Sequence, residues 1–242
     1  MSQDTWVERA FNREYLSIYD YRDEDEARQH IQTLVKLLEL KPSCKIFDCC
    51  CGSGRYSQIL KQLGYDVTGM DFSEDLINEA RKIYSEIKFV RGDMRVLPFK
   101  QSFDQVLSLF TSFGYFESDA TNISVLEQMK ASLKNGGKLY LDYLNPLNVE
   151  AQDWLETIKN NGVLKTKKEI DSDTQMVIKT VRWKSNQGDM VEYKECVKLY
   201  CPEWFKEKGE AMGLKLLNSW GDYHVSELTE NSPRNIYLFQ KK

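Results

Sequence analysis

The sequence lacks the patterns that mark several classes of protein. No apolar run in its 242 residues approaches the ~20 residues that a membrane-spanning helix needs. The first residues do not have the basic and then hydrophobic layout of a signal peptide. The net charge is -4, so a general attraction to nucleic acid or to an anionic membrane is not expected. These absences favour a cytoplasmic globular protein with one α/β domain, or with one domain that carries an insertion.

Disulfide and zinc patterns are also absent. The chain has six cysteines, but three of them are consecutive, at positions 49 to 51. Neighbouring cysteines rarely pair, and a chain of this size does not need disulfides for stability. No C-x-x-C pair occurs, so no metal site is predicted. We expect reduced thiols, with Cys49, Cys50 and Cys51 acting as small apolar side chains at a strand end.

Segments typical of strands alternate with segments typical of helices over the first 145 residues. The strands are predicted over 44–47, 66–70, 87–90, 104–110 and 139–143. Between them, apolar residues recur at helical spacing, Ser73 is a predicted N-cap, and residues 135–137 form a predicted turn. This alternation predicts a parallel sheet that helices cover on both faces.

The pattern changes after residue 146. Polar and apolar residues alternate over 163–199, around a turn at 186–189, which predicts an antiparallel sheet. A helix over 203–212 and strands over 214–220 and 235–240 then complete the first sheet. We therefore predict a doubly wound, mostly parallel seven-stranded α/β sheet whose last strand is antiparallel. The predicted organisation is an N-terminal helical segment with the core (1–146), an inserted antiparallel β lid (147–200), and the final helix and strands (201–242).

Three acidic residues each follow a predicted strand. Asp48 ends the first strand, Asp71 ends the second, and Asp93 follows the third. Ligands of open α/β sheets bind at the carboxyl ends of the strands, so these acids should meet in one cleft. Gly52 and Gly54 allow the backbone to approach a ligand closely. Each acid alone is equally compatible with a cap or a solvated loop end, but three together favour a binding site.

The residues of this cleft argue against a nicotinamide dinucleotide. The dinucleotide fingerprint G-x-G-x-x-G needs a third glycine, and Ser57 stands at that position. Asp48 would also repel a pyrophosphate. A cofactor that has a sulfonium and an ammonium group, and no phosphate, tolerates surrounding acids. The charges therefore favour S-adenosylmethionine.

The stretch Ile46–Tyr56 resembles motif I of the class I, Rossmann-like, S-adenosylmethionine-dependent methyltransferases. Gly64–Ser73, Arg91–Phe99 and Leu133–Gly137 are similar to later segments of that family, and the likeness covers most of residues 25–145. The sequence departs from the family at Cys50, where motif I usually has its first glycine. The segments 110–116, 197–200 and 221–234 are similar to those of a bacterial subgroup that methylates small molecules.

The resemblance implies a role for each residue of the cleft. The loop from Asp48 to Gly54 would hold the methionine end of the cofactor, Asp71 would bind the ribose hydroxyls, and Asp93 would accept from the adenine amino group. Phe72 and Met94 would pack beside the adenine, and the backbone at Leu109 and Phe110 would line the transferring methyl group. The predicted cofactor-binding residues are Tyr19, Asp48, Cys50, Gly52, Ser53, Gly54, Asp71, Phe72, Asp93, Met94, Leu109 and Phe110.

Methyl transfer from a sulfonium depends mainly on alignment, which can lower a barrier by roughly 7–11 kcal/mol. A base is needed only if the acceptor must lose a proton early. Tyr115 is the candidate for orienting the acceptor and His224 the candidate base, although each can instead be a packing or loop residue. Arg234 either binds an acidic acceptor or ties its loop down. His30 is expected to be structural, in an exposed helix.

The predicted reaction is N- or O-methylation of a small-molecule acceptor. Two alternatives stay open: an RNA- or protein-directed methyltransferase, which would need an exposed basic or aromatic face, and a non-catalytic cofactor-binding subunit. Neither a membrane nor a nucleic acid is an expected partner. The chain is expected to be a monomer or a homodimer.

Overall fold

A computed structural model describes residues 10–11, 13–18, 24–159, 162–185, 188 and 190–242. The helices are Arg13–Ile18 (α1), Glu24–Leu38 (α2), Arg55–Gln62 (α3), Glu74–Ile83 (α4), Asp119–Ser132 (α5) and Pro202–Ala211 (α6), with a 3-10 turn at Pro146–Asn148. The strands are Lys45–Cys49 (β1), Asp66–Asp71 (β2), Lys88–Arg91 (β3), Phe103–Ser108 (β4), Leu133–Leu144 (β5), Gln152–Lys159 (β6), Gly162–Asp171 (β7), Met176–Ser185 (β8), Met190–Lys198 (β9), Leu214–Trp220 (β10) and Arg234–Lys241 (β11). None of the helices within these ranges is long and apolar enough to cross a membrane.

The main sheet has seven strands in the order β10-β11-β5-β4-β1-β2-β3. The pairs from β5 to β3 are parallel, whereas β11 runs antiparallel to both of its neighbours, β5 and β10. A second sheet has four antiparallel strands in the order β6-β7-β8-β9. The predicted fold class, including the antiparallel last strand and the inserted antiparallel sheet, is confirmed.

Consecutive residues of the central strands pack on opposite faces of the main sheet. Phe47 and Val106 belong to one apolar cluster, whereas their neighbours Ile46 and Leu107 belong to another. All four side chains are fully buried. Both faces are covered because side chains alternate along a strand, and this explains why these strands read as short apolar runs in the sequence.

Two elements differ from the prediction. The strand β6 was not predicted, because it is an edge strand whose residues are mostly exposed and show no alternation. The strand β5 begins at Leu133, so it includes the predicted turn at 135–137. Gly136 has a φ of 76°, and the pairing of β4 with β5 shifts register across this segment. The turn is therefore present as an irregularity within the strand.

The second sheet packs against the N-terminal helix. Val181, Trp183 and Tyr193 form an apolar cluster with Ala10 and with Ile18, which ends α1. All five side chains are buried. The second sheet thus supports the N-terminal segment from the side.

Candidate cofactor-binding and active site

A cavity of about 330 Å³ lies at the carboxyl ends of β1 to β4. This volume is at the lower end of the range for small-molecule sites. Apart from Gly54, every predicted cofactor-binding residue within the described ranges lines the cavity. Tyr19 lies outside the described residues. The lining from these predictions is Asp48, Cys50, Gly52, Ser53, Asp71, Phe72, Asp93, Met94, Leu109 and Phe110.

Gly54 is required by packing behind the cavity. It is the residue before α3 and has a φ of 83°. A Cβ atom at this position would lie 2.5 Å from Cζ of Phe89, which belongs to β3. Only glycine therefore lets the loop after β1 lie this close to the third strand.

Cys50 takes the backbone conformation that glycine usually supplies in motif I. Its φ is 63°, in the left-handed region. Its Sγ lies 3.8 Å from Sδ of Met94, on the loop after β3. The departure from the family pattern therefore keeps the shape of the loop, and it places a thiol in the cavity wall.

Asp71 ties the loop after β1 to the end of β2. Its Oδ2 accepts from the backbone N–H of Gly52 at 2.8 Å, and its Oδ1 accepts from that of Ser73 at 2.9 Å. Burial raises the pKa of Asp71, and these backbone bonds oppose the rise. A carboxylate has about four lone-pair positions, so both oxygens can still accept from ligand hydroxyls.

Asp48 is a buried carboxyl group directly beneath the loop. It is 2% exposed, and its Oδ2 accepts from Oγ of Ser57 at 2.6 Å. The pKa of Asp48 is raised to about 6, mainly by burial; the bond from Ser57 opposes this rise and the charge of Asp71 adds to it. Ser57 replaces the third glycine of the dinucleotide fingerprint, and its hydroxyl is used here. A cation bound in the cavity would stabilise the ionised form of Asp48.

Asp93 is held by Arg95, which the sequence analysis did not single out. Its Oδ1 accepts from the Arg95 backbone N–H at 2.8 Å, and its Oδ2 lies 2.6 Å from the guanidinium. Partial burial acts to raise the pKa of Asp93, but the bonds from Arg95 hold it below its usual value. The Arg95 guanidinium also lies over the ring of Phe116, at 5.1 Å from its centroid. The pair fixes the loop after β3 at the rim of the cavity.

The wall opposite the acids is aromatic. Tyr115 stacks on Phe11 with ring centroids 5.9 Å apart, and both residues line the cavity together with Tyr15 and Leu16. Burial raises the pKa of Tyr115 well above its ordinary value, and the nearby Tyr15 and Glu195 raise it further. The phenol therefore stays protonated at neutral pH.

The second sheet packs behind this wall, since Phe11 contacts the apolar cluster that contains Val181, Trp183 and Tyr193. Among the described residues that line the cavity, none comes from the segment 147–200. That the inserted sheet covers the acceptor stays a prediction.

The two histidines lie elsewhere than expected. His224 is exposed, does not line the cavity, and donates its backbone N–H to Asp222. His30 was expected on an exposed helix, but it is 3% exposed. Its ring nitrogens lie 3.3 Å from the hydroxyl of Tyr56 and 3.1 Å from that of Tyr140. The error has a visible cause, since His30 shares the helical spacing of the apolar face of α2.

Burial lowers the pKa of His30 to about 4, so its ring is neutral at physiological pH.

Of the two roles left open for Arg234, the structure supports the one in which it ties its loop down. Its guanidinium pairs with Asp142, which is fully buried on β5. This pair could not be predicted from the sequence, because the two residues are far apart along the chain.

Comparisons with known proteins agree with this geometry. Residues 46–137 match the family model described as a methyltransferase domain. The dTDP-3-amino-3,4,6-trideoxy-alpha-D-glucopyranose N,N-dimethyltransferase of Streptomyces venezuelae is 29% identical over 98 residues, which are 40% of this chain and 41% of that protein. The chain spans less than half the length of the curated relatives that it matches.

Solved structures extend the likeness to the whole fold. The CcbJ methyltransferase from Streptomyces caelestis has a TM-score of 0.83 at 17% identity, covering 100% of this chain and 99% of that chain. CalS10, an amino pentose methyltransferase from Micromonospora echinaspora solved with S-adenosylmethionine bound, has a TM-score of 0.75 at 16% identity, covering 94% and 96%. Identities this low establish the fold alone. Residues 46–137 are therefore similar to a methyltransferase domain, and the chain has the class I, Rossmann-like, methyltransferase fold.

Proposed function

We propose that the chain is an S-adenosylmethionine-dependent methyltransferase that acts on a small molecule by N- or O-methylation. The observation that carries the proposal is the cavity at the strand ends, into which Asp48, Asp71 and Asp93 come from three successive strands. Such a ring of acids suits a ligand that is positively charged and has no phosphate. The matched methyltransferase domain covers the same residues.

The residues present fit this cofactor. Asp71 has lone pairs to spare for the ribose hydroxyls, and Asp48 lies where a positive charge would stabilise its ionised form. Gly52 leaves open space where a side chain would stand, since no atom lies within 4 Å of the position of its absent Cβ. Met94 and Phe72 offer apolar surface for an adenine. The chemistry that bound S-adenosylmethionine supplies is an activated methyl group on a positively charged sulfur.

On the acceptor side, the chain contributes alignment and exclusion of water. Tyr115 keeps its proton, so we propose that it orients the acceptor by donating a hydrogen bond. Phe11 and Tyr15 close the cavity next to it with aromatic surface. Alignment places the nucleophile in line with the transferring carbon, which can lower the barrier by roughly 7–11 kcal/mol.

We favour an amine as the acceptor. The relative from Streptomyces venezuelae is named for an amino sugar derivative, and the CalS10 structure is described as that of an amino pentose methyltransferase. The acids around the cavity would also attract a cationic amine. An RNA-directed enzyme would need a basic face, and the net charge of -4 gives no support for one. We also propose that the protein is cytoplasmic and that it is a monomer or a homodimer. Sedimentation would measure the oligomeric state.

Calorimetry tests the cofactor half of the proposal. Wild-type protein should bind S-adenosylmethionine and S-adenosylhomocysteine, and Asp71→Asn should weaken both by about tenfold or more, because it removes a charged acceptor. Asp104→Asn is the matched control, since Asp104 is the second residue of β4, at the opposite end from the cavity, and pairs with Lys134. Absence of wild-type binding, or equal affinities for all three proteins, would refute the proposal.

A release assay tests the acceptor half. Small-molecule amines, amino sugars and matched hydroxyl compounds should be screened for the formation of S-adenosylhomocysteine. We expect turnover with a member of the amine group. Turnover with RNA alone, together with RNA binding that weakens steeply with salt, would instead support a nucleic-acid acceptor.

A further inference from the structure

Two consecutive residues in the cavity wall have a backbone conformation that they do not prefer. Phe110 and Thr111 follow β4, and their φ angles are 53° and 59°. The left-handed region is uncommon for any residue other than glycine, and it is least accessible to β-branched residues such as threonine. Such a conformation persists only where the surrounding structure enforces it. The contacts of this segment should therefore include the groups that hold it.

Asp142 holds the backbone of both residues. It lies on β5 and is fully buried. Its Oδ2 accepts from the backbone N–H of Phe110 at 2.7 Å, and its backbone carbonyl accepts from the N–H of Thr111 at 3.0 Å. The hydroxyl of Tyr223 donates to the same Oδ2 at 2.8 Å. One residue thus fixes two successive peptide groups of the strained segment.

Arg234 connects Asp142 to the side chain of the strained segment. Its Nε donates to Oδ1 of Asp142 at 2.7 Å, and its terminal nitrogen donates to Oγ1 of Thr111 at 2.7 Å. Arg234 begins β11, which pairs with β5, so the guanidinium is supplied by the neighbouring strand. The planar fork of arginine can make both bonds at once, whereas the ammonium of lysine is a single point charge.

The segment that these bonds hold belongs to the site. Leu109, Phe110 and Ser112 line the cavity, whereas Asp142 and Arg234 do not. The ring of Phe110 meets the ring of Tyr56 edge to face, with centroids 5.1 Å apart, and Tyr56 also lines the cavity. A change in the backbone at Thr111 would therefore move the wall that faces a bound ligand.

We propose that Asp142 and Arg234 are positioning residues for the cofactor, which hold Phe110 and Thr111 in the left-handed conformation that shapes the cavity wall. The proposal rests on the proposed function for the identity of the ligand. A role in stability alone would give a different result, because it would not depend on which backbone conformation residue 111 prefers. Glycine at position 111 would adopt the left-handed conformation without being held.

The first measurement is the affinity for S-adenosylhomocysteine by calorimetry. Arg234→Lys keeps the positive charge beside Asp142 but loses the bridge to Thr111, and we expect binding about tenfold weaker. Adding Thr111→Gly to this variant should restore the affinity to within about threefold of wild type. Arg182→Lys is the matched control, since Arg182 pairs with Glu192 on the second sheet, and it should leave the affinity unchanged.

The second measurement does not depend on any ligand. With 4-fluorophenylalanine incorporated at position 110, the fluorine resonance should shift in Arg234→Lys and return in the double variant with Thr111→Gly. Asp142→Asn, in which the amide replaces the charged acceptor, should shift the resonance in the same way. The melting temperature of each variant is recorded to show that it is folded.

The outcomes separate the two proposals. An unmoved fluorine resonance, or an affinity loss that Thr111→Gly does not reverse, would overturn the positioning role. A wild-type protein that does not bind S-adenosylhomocysteine would overturn the proposed function and the ligand assigned to this wall. The fluorine measurement would still decide whether Arg234 controls the position of Phe110.

Discussion

The carboxyl group of Asp48 couples the cavity to pH. Its pKa is about 6, raised by burial from 3.8, so the group becomes charged as the pH rises through that value. A sulfonium gains from that charge, whereas the neutral sulfur of S-adenosylhomocysteine does not. We therefore predict that the affinity for S-adenosylmethionine, relative to that for S-adenosylhomocysteine, increases from about pH 5 to about pH 8. Calorimetry at a series of pH values measures this ratio.

Asp48→Asn is the control for this prediction, because an amide does not titrate. The ratio of affinities should then be flat across the same pH range, and an unchanged pH dependence in the variant would contradict the assignment. The free protein should respond in the opposite direction. Since the folded pKa lies above the unfolded value, ionisation of Asp48 destabilises the fold, and stability should fall as the pH rises from about 4 through about 6.

Cys50 offers a test of backbone strain in the motif I loop. Its left-handed φ of 63° predicts that Cys50→Gly changes the free energy of unfolding by no more than about 1 kcal/mol, because relief of strain offsets the entropy of glycine. Cys50→Val should cost about 1–3 kcal/mol, since a β-branched side chain resists this conformation. Denaturant unfolding measures both. Cys196→Val on β9 is the control. An equal loss of unfolding free energy there would contradict a specific effect of the left-handed backbone at Cys50.

At this scale, the sequence identified the residues that the chain order itself brings together. Asp71 and Asp93 follow predicted strands, so their meeting at one edge could be inferred from topology alone. Arg95, Asp142 and His30 were not assigned to their partners, because those contacts depend on rotamers or on residues distant in the chain. The exposure of His224 could not be predicted either, since no local pattern shows which way a loop side chain points.

Among the elements, the parallel strands were the most predictable. The strands β1 and β4 are apolar because they are buried on both faces of the sheet. In the helices between them, apolar residues recur at clear helical spacing. The strand β6 could not be predicted, because an edge strand that is exposed along most of its length has no alternation to detect. The position of the second sheet was also unpredictable, since it depends on which apolar surface the sheet covers.

The packing of β2 on β3 gives a prediction at this scale. A Cβ atom at Gly69 would lie 2.7 Å from the ring of Phe89 and 2.8 Å from Sγ of Cys51. Gly69→Ala should therefore destabilise the protein by about 1–3 kcal/mol through overpacking. In a Phe89→Leu background the same substitution should cost less, because the ring is gone. Denaturant unfolding of the four proteins gives the coupling energy, and strict additivity would contradict the close contact.

The whole molecule should respond to its cofactor through the equilibrium between folded and unfolded protein. S-adenosylhomocysteine at about 100 times its dissociation constant would add about 2.7 kcal/mol to stability. For a chain of 242 residues this corresponds to a rise in melting temperature of about 5–10 °C. NADH at the same concentration should give no rise. A larger rise with NADH than with S-adenosylhomocysteine would instead support a nicotinamide dinucleotide as the cofactor.

The place of β11 in the main sheet has a consequence for biosynthesis. The strand β11 lies between β5 and β10 in the sheet but follows both of them in the sequence. The ribosome therefore produces β1 to β5 well before Arg234, the residue that braces their ligand-facing edge. A nascent chain stalled before Arg234 would contain every carboxylate of the cleft but would lack the arginine that bridges Asp142 and Thr111. We therefore expect binding competence to appear only after β11 has left the exit tunnel and paired with β5 and β10.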